Sequence, residues 1–226
     1  AALCMPVLFV SLFMTLAVTA IAAAKGVPVT VRVVGNRDKV LAEKALRATT
    51  TTIPTSPKAT CFGAGTGGTG KPVTLQGPTV LGALGQVVKS DPDLRPLQVT
   101  DHFSFGIAIC GVGGSVVKSG SESSWYLKVN HKAQSVGGDQ VKLHPGDEVL
   151  WDLAPSYPYP DELALSAPAK ATACQPFTGR AWSYDEKGKR TPAAVVTVTG
   201  AGTTTGADGK TTVTRSKPAQ LAATKR

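Results

Sequence analysis

Catalytic and metal centres are built from a few residue types, and this chain has little of them. Its three histidines, His102, His131 and His144, each stand more than ten residues from the next, and none falls in an H-x-x-x-H spacing. The three or four converging ligands of a zinc site are therefore not supplied. Asp147, Glu148 and Asp152 are too few carboxylates for a calcium site, so no metal is expected. There is no G-x-S-x-G nucleophile elbow and no grouped acid, base and nucleophile, which predicts a protein that is not an enzyme and carries no cofactor. The 24 basic residues exceed the 15 acidic ones, for a net charge of +9, but they form no block of five or six and no basic helix face. That spread excludes a nucleic-acid footprint. The charge reads as solubility with a mild attraction to anionic cell-wall polymers.

Long apolar runs are also missing once the first charged residue, Lys25, has passed. Before it, "LCMPVLFVSLFMTLAVTAIAAA" has the apolar core and small-residue end of a secretory signal, with Ala20 and Ala22 forming an A-x-A cleavage pattern. The basic start of such a signal is not visible. The run is also long enough for a membrane anchor at about 20 residues. On either reading the remainder is exported, and we assign 1–24 as signal peptide.

The exported part is rich in strand patterns. "VPVTVRVVG" places Val27, Val29, Val31 and Val33 at period two. After a variable stretch, the threonines of "TTTTIPTSPKAT" favour extended chain and its prolines a loop. In "GPTVLGALGQVVKSDP", Val80, Leu81, Leu84, Val87 and Val88 share one helix face, with Pro78 suited to the first turn and Asp91-Pro92 as the stop. "PLQVTDHFSFGIAIC" reads as one strand, bent or straight, and "SSWYLKVN" as another. "QVKLHPGDEVLWDL" reads as two short strands about Pro145-Gly146. One helix segregated to a face of a strand-rich sheet is an α+β arrangement, with β-grasp the best candidate. Beyond the proline-rich 156–161 junction, short threonine-rich strands suggest a β-sandwich over 162–226, and "GADGK" marks a hairpin. At that length the sandwich is expected to be incomplete at its C-terminus.

"GPTVLGAL" followed by "SSWYLKVNHKAQSVGGDQVKLHPGDEVLWDL" resembles the transcobalamin C-terminal-like β-grasp family of bacterial secreted and surface proteins. The matching residues are Thr79, Val80, Leu81 and Leu84, then Trp125, Val129 and Asn130, then Leu143, Gly146, Asp147, Val149 and Trp151. The resemblance implies a β-grasp domain over 25–155, and the region after it looks like an immunoglobulin-like module. It implies a fold more than a task, since transcobalamin covers a corrinoid with the help of a helical barrel that has no counterpart here. The expected role is therefore extracellular binding or adhesion, with a protein, glycan or small molecule as ligand. Carriage of a corrinoid such as cobalamin is the alternative.

Individual residues sharpen this. The glycine loop "CFGAGTGGTGKPVT" satisfies G-x-G-x-x-G and most of G-x-x-x-x-G-K-[ST], but Lys71 precedes Pro72, so the magnesium-holding hydroxyl and the following helix are missing. We read it as a flexible linker and exclude a nucleotide. Trp125 and Trp151 alternate with Leu127, Val129, Val149 and Leu153 as core residues, and Asp147 is a turn residue. Tyr126, Lys128 and Asn130 then lie on the opposite face of their strand, as an exposed recognition patch. If Cys4 leaves with the signal, three cysteines remain, an odd number for an exported chain. Cys61 and Cys110, both in the first module, are expected to form a disulfide, closing a loop of about 50 residues worth roughly 4 kcal/mol. Cys174 is expected to pair beyond Arg226.

Overall fold

The computed structural model describes residues 26–172, 174–217 and 221–224, so the signal peptide expected at 1–24 lies outside the described residues. Most of the described chain is β-strand or connecting loop, with one α-helix. Strands β1 (Val27–Val34), β2 (Val40–Ala48), β3 (Thr51–Pro54) and β4 (Pro72–Leu75) precede helix α1 (Val80–Ser90). After it come β5 (Leu97–Thr100), β6 (Ala108–Val112), β7 (Ser115–Val116), β8 (Ser124–Val129), β9 (Lys132–Ala133) and β10 (Glu148–Ala154). Five of them form one mixed sheet in the order β2-β1-β10-β8-β9. Its central pair, β1 and β10, is parallel, with Val31 opposite Val149 and Val33 opposite Trp151, and the remaining pairs are antiparallel.

The period-two valines of β1 do what their spacing predicts: Val29, Val31 and Val33 are buried in the core that α1 shares. Strand β2, "VLAEKALRA", is composed of good helix formers, and its residues do not announce a strand. It nonetheless pairs with β1 along its length and buries Ala42 and Ala48 while exposing Glu43 and Arg47. Tertiary pairing overrides intrinsic propensity here.

Helix α1 begins at Thr79, whose hydroxyl accepts the Gly82 amide at 3.1 Å, so Pro78 stands before the cap rather than in the first turn. The expected apolar face is buried, and so are Gly82, Ala83 and Gly85, because the β3–β4 hairpin covers the far side of the helix. Gly85 permits that approach: a Cβ there would stand 2.5 Å from Ile53 Cγ2.

Two strand expectations are corrected. The stretch from Leu97 to Cys110 is a hairpin, β5 against β6, whose connection folds back where Gly106 N donates to Phe103 O and His102 N to the Thr100 hydroxyl. The segment before Pro145-Gly146 is not a strand, apart from one bridge between Thr79 and Lys142. Its carbonyls instead satisfy the first turn of α1, with Val80 N donating to Val141 O and Leu81 N to Gly138 O.

The glycine loop is tied down rather than a flexible linker. Cys61 and Cys110 are joined as expected, Gly68 N donates to Ser56 O, and the Thr69 amide and hydroxyl both donate to the Asp101 carboxylate at 2.7 Å. Strand β4, not a helix, follows Lys71. A disulfide of this kind belongs to an oxidising compartment.

The rest of the chain supplies β11 (Glu162–Ser166), β12 (Phe177–Tyr184), β13 (Arg190–Pro192), β14 (Thr197–Thr199), β15 (Thr203–Thr204), β16 (Lys210–Val213) and β17 (Ala222–Thr224). They form two small sheets, β11-β12-β13 with β16 also on β12, and β15-β14-β17. The hairpin expected at "GADGK" is instead a corner: β15 joins β14 in one sheet and β16 joins β12 in the other. Between the sheets lies a core of small residues, Ala181, Ala193, Val196 and Ala223, with Leu163 and Leu165 packed against it. Cys174 is a free, exposed thiol. Among the described residues no helix is long and apolar enough to cross a membrane.

Candidate functional site

The face of β8 opposite α1 is not the exposed patch expected from the sequence. Alternation does put Tyr126 and Lys128 on that face, but Tyr159 and the segment around Tyr184 cover it, leaving them 7% and 1% exposed. Tyr126 stacks on Tyr159 with ring centroids 3.9 Å apart. Lys128 Nζ donates to the carbonyls of Tyr184 (2.9 Å) and Asp185 (3.1 Å) and stands 3.8 Å from Glu162 Oε2. Burial holds the Lys128 ammonium below the usual lysine range, against the raising effect of Glu162, Asp161, Asp185 and Asp152. His131, at the tip of β8, completes the junction by stacking on Tyr184 and bonding Glu162 Oε1 at 2.9 Å. These residues hold β11 and the end of β12 against β8.

Asn130 is exposed but occupied. With His131 it forms the two-residue turn between β8 and β9, both at positive φ (50° and 67°). Its side chain bridges to the β10 turn, donating to Asp147 Oδ1 at 2.8 Å and accepting from Glu148 N at 2.9 Å. Asp147 is the turn residue expected, since its other oxygen accepts the His144 amide.

On the same covered face, the Asp152 carboxyl is pushed up to about 6, by burial first and then by Asp38, against the opposing pull of Arg32 and Lys128. The folded state therefore holds this proton more tightly than the unfolded chain, and stability falls as pH rises from about 4 to about 6. We expect Asp152→Asn to match the parent below pH 4 and to exceed it by about 3 kcal/mol at pH 7 in urea unfolding. A variant no more stable than the parent at pH 7 would contradict this reading of the carboxyl.

The feature with the character of a binding site lies beside this junction, along the outer edge of β8. A groove of about 310 Å³ is lined by Phe62, Phe105, Ile107, Trp125, Val136 and Tyr159 together with parts of Tyr126, Trp151, Gln134 and Ser135, and no charged side chain lines it. Three polar atoms of its lining residues, Trp125 Nε1, Tyr126 OH and Trp151 Nε1, are buried without a hydrogen-bond partner. Burial also pushes the Tyr126 phenol up to about 12, so it stays protonated and able to donate.

Several elements build this groove. Phe62 follows Cys61, so the disulfide to β6 fixes its position, edge-on to Phe103, which in turn stacks on Phe105 at 4.9 Å. Trp151 is core, as expected, and its ring reaches the groove beside Gly138, where a Cβ would stand 2.7 Å from Trp151 Cζ2. Trp125 is only half-buried, which departs from the core role expected of it. The sequence reading missed Phe62, Phe105 and Tyr159. The signal was present in "DHFSFG": taken as a loop, it exposes Phe105, whereas a continuous strand places it in the core.

Among the described residues no group of three or more histidine, cysteine, aspartate or glutamate side chains could hold a metal ion. Compared with protein-family models, with curated proteins and with solved structures, the chain matches none.

Proposed function

We propose that this is an exported, non-enzymatic binding or adhesion protein, made of a β-grasp module of the transcobalamin C-terminal-like kind followed by an immunoglobulin-like module. The β-grasp reading is supported by the parallel β1–β10 pair at the centre of a mixed sheet, flanked by β2 and β8, with one helix on the sheet. The immunoglobulin-like reading is supported by two small sheets enclosing a core. Export accords with the disulfide and with the apolar leader.

The binding site is the groove at β8, in place of the patch of Tyr126, Lys128 and Asn130. One observation carries this assignment: a groove with no charged side chain, lined by aromatic residues from four separate segments, Phe62, Phe105, Trp125 and Tyr159. A concave surface lined by aromatic side chains and free of charge is the usual lining of a site that binds an apolar or aromatic group. Carriage of a small molecule is the second reading, favoured by the aromatic lining. The volume stands at the low end of the roughly 300–1,000 Å³ that ligand pockets span, enough for one ring system and not for a whole corrinoid.

The test is a thermal-shift and tryptophan-fluorescence screen of the full chain against aromatic small molecules, cyanocobalamin, cell-wall glycans and peptides. Phe105 is 63% exposed, so Phe105→Ser leaves the fold intact. We expect it to weaken any hit by about tenfold, the loss of one aromatic contact. Hits that are indifferent to Phe105→Ser and leave tryptophan emission unchanged would remove the groove as the site.

A further inference from the structure

We infer that the outer face of β12 is an anion-binding surface, separate from the groove at β8, and that it takes a polymer whose units are joined by phosphodiesters, such as an anionic cell-wall glycan. Alternation along β12 turns Ala181 into the small-residue core and leaves Thr178, Arg180 and Trp182 on the other face. Residues directly opposite one another in an antiparallel pair share a face. Lys210 of β16, opposite Arg180, and Arg190 of β13, opposite Tyr184, therefore stand beside them. Three basic residues that are scattered in the sequence are gathered by three strands.

Trp182 organises them. The Arg180 guanidinium carbon lies 4.0 Å from the centroid of its ring and that of Arg190 lies 4.3 Å away. The two arrive from opposite ends, since Arg180 is two residues before Trp182 on the strand and Arg190 stands opposite the residue two after it. Stacking uses the flat face of a guanidinium and leaves its N–H edge for an oxyanion. Arg180 Nε donates to the Asp208 carbonyl at 3.1 Å, but among the described residues no carboxylate pairs with either arginine. The acidic side chains near them are engaged: Asp208 pairs with Lys210 at 3.3 Å and accepts its amide, and Asp185 accepts the Lys187 and Lys189 amides of the β12–β13 turn. Two like charges held on one ring repel each other, and an anion that bridges them relieves the repulsion. Because stacking already fixes both side chains, binding costs them little freedom.

The same geometry selects the occupant. With two guanidiniums over it, the Trp182 ring offers no platform on which a nucleic-acid base or a neutral sugar can stack, so recognition runs through anions. Two forks that approach from either end of one ring do not share a plane, which suits the tetrahedral oxygens of phosphate better than a planar carboxylate. From Arg190 to Lys210 the row covers the stretch of β12 between Tyr184 and Arg180, about 13 Å at roughly 3.3 Å per residue, farther than one phosphate reaches. A repeating anion fits that span. His131 closes the face at Tyr184, so the surface extends the other way, past the exposed Thr178 and Thr212.

The probe is poly(glycerol phosphate), titrated against the full chain beside polygalacturonate, neutral dextran and inorganic phosphate. Arg190 and Lys210 are exposed, so Arg190→Gln combined with Lys210→Gln leaves the core untouched. Lys58→Gln combined with Lys118→Gln, at two other exposed positions, removes the same charge elsewhere. We expect poly(glycerol phosphate) to bind most tightly, and the first double variant to weaken it about tenfold or more. That variant should also flatten the slope of log affinity against log salt by roughly one for each cation removed. The second double variant is expected to change affinity by less than about twofold, and Phe105→Ser, in the groove, to leave it unchanged. Equal losses in the two double variants would show that net charge alone attracts the polymer and would overturn the inference. Polygalacturonate binding as tightly as the phosphate polymer, full competition by inorganic phosphate at matched phosphate concentration, or no binding of poly(glycerol phosphate) would each overturn it too.

Discussion

Lys128→Ala is expected to undo the junction between the two modules, at a cost of about 3–5 kcal/mol. The side chain is a buried ammonium bonded to two carbonyls and paired with a carboxylate, and truncation removes the cation that faces the buried Glu162, whose Oε1 keeps only His131. Glu162 is the most affected, because its side chain is 8% exposed and its Oε2 already has no hydrogen bond. The second module has little with which to resist. Its own core is built from Ala181, Ala193, Val196 and Ala223, small side chains that bury limited apolar area. In Lys128→Ala we therefore expect the second module to unfold at lower denaturant than the first, giving two transitions by tryptophan fluorescence, with Trp182 reporting one and Trp151 the other. Pairing Lys128→Met with Glu162→Gln should recover much of the loss, because replacing a buried ion pair by neutral groups of similar volume is far less costly than orphaning one charge. A Lys128→Ala midpoint indistinguishable from the parent would show that the junction contributes nothing to stability.

Trp151→Ala is expected to unfold the first module, through a loss of about 3–5 kcal/mol, most of what holds a small domain together. Trp151 is 4% exposed on the central strand pair, opposite Val33 of β1 and Leu127 of β8, and its ring occupies the space that Gly138 leaves clear. No neighbour can collapse into a void of that size without dragging the start of α1, which hangs on Gly138 O. Tyr126→Ala provides the contrast. Tyr126 is as buried as a core residue but meets Tyr159 rather than the sheet's own core, so its loss weakens the junction and leaves the five-stranded sheet folded. Circular dichroism and amide exchange of β1 and β10 separate the two outcomes, and equal melting of the two variants would show that Trp151 holds nothing Tyr126 does not.

Much of this molecule can be read from its residues in order. The valines of β1, the apolar face of α1, the strands around Trp125 and Trp151, the turn at Asp147 and the pairing of Cys61 with Cys110 all come from local periodicity, turn chemistry and cysteine arithmetic, which depend on near neighbours in sequence or on simple counting. Three things were decided only by the tertiary structure. Strand β2 is extended because β1 offers it a ladder, whatever its helix-forming composition prefers. Tyr126 and Lys128 do alternate away from the core of their sheet, as their spacing dictates, but a strand's second face is solvent or interface according to what the rest of the chain places on it. The groove, finally, gathers Phe62, Phe105, Trp125 and Tyr159 from four separate segments, and it exists because a disulfide, a hairpin loop and a shortened edge strand end at the same place. Periodicity reports which way a side chain points; what it meets there depends on contacts made by residues far apart in the chain.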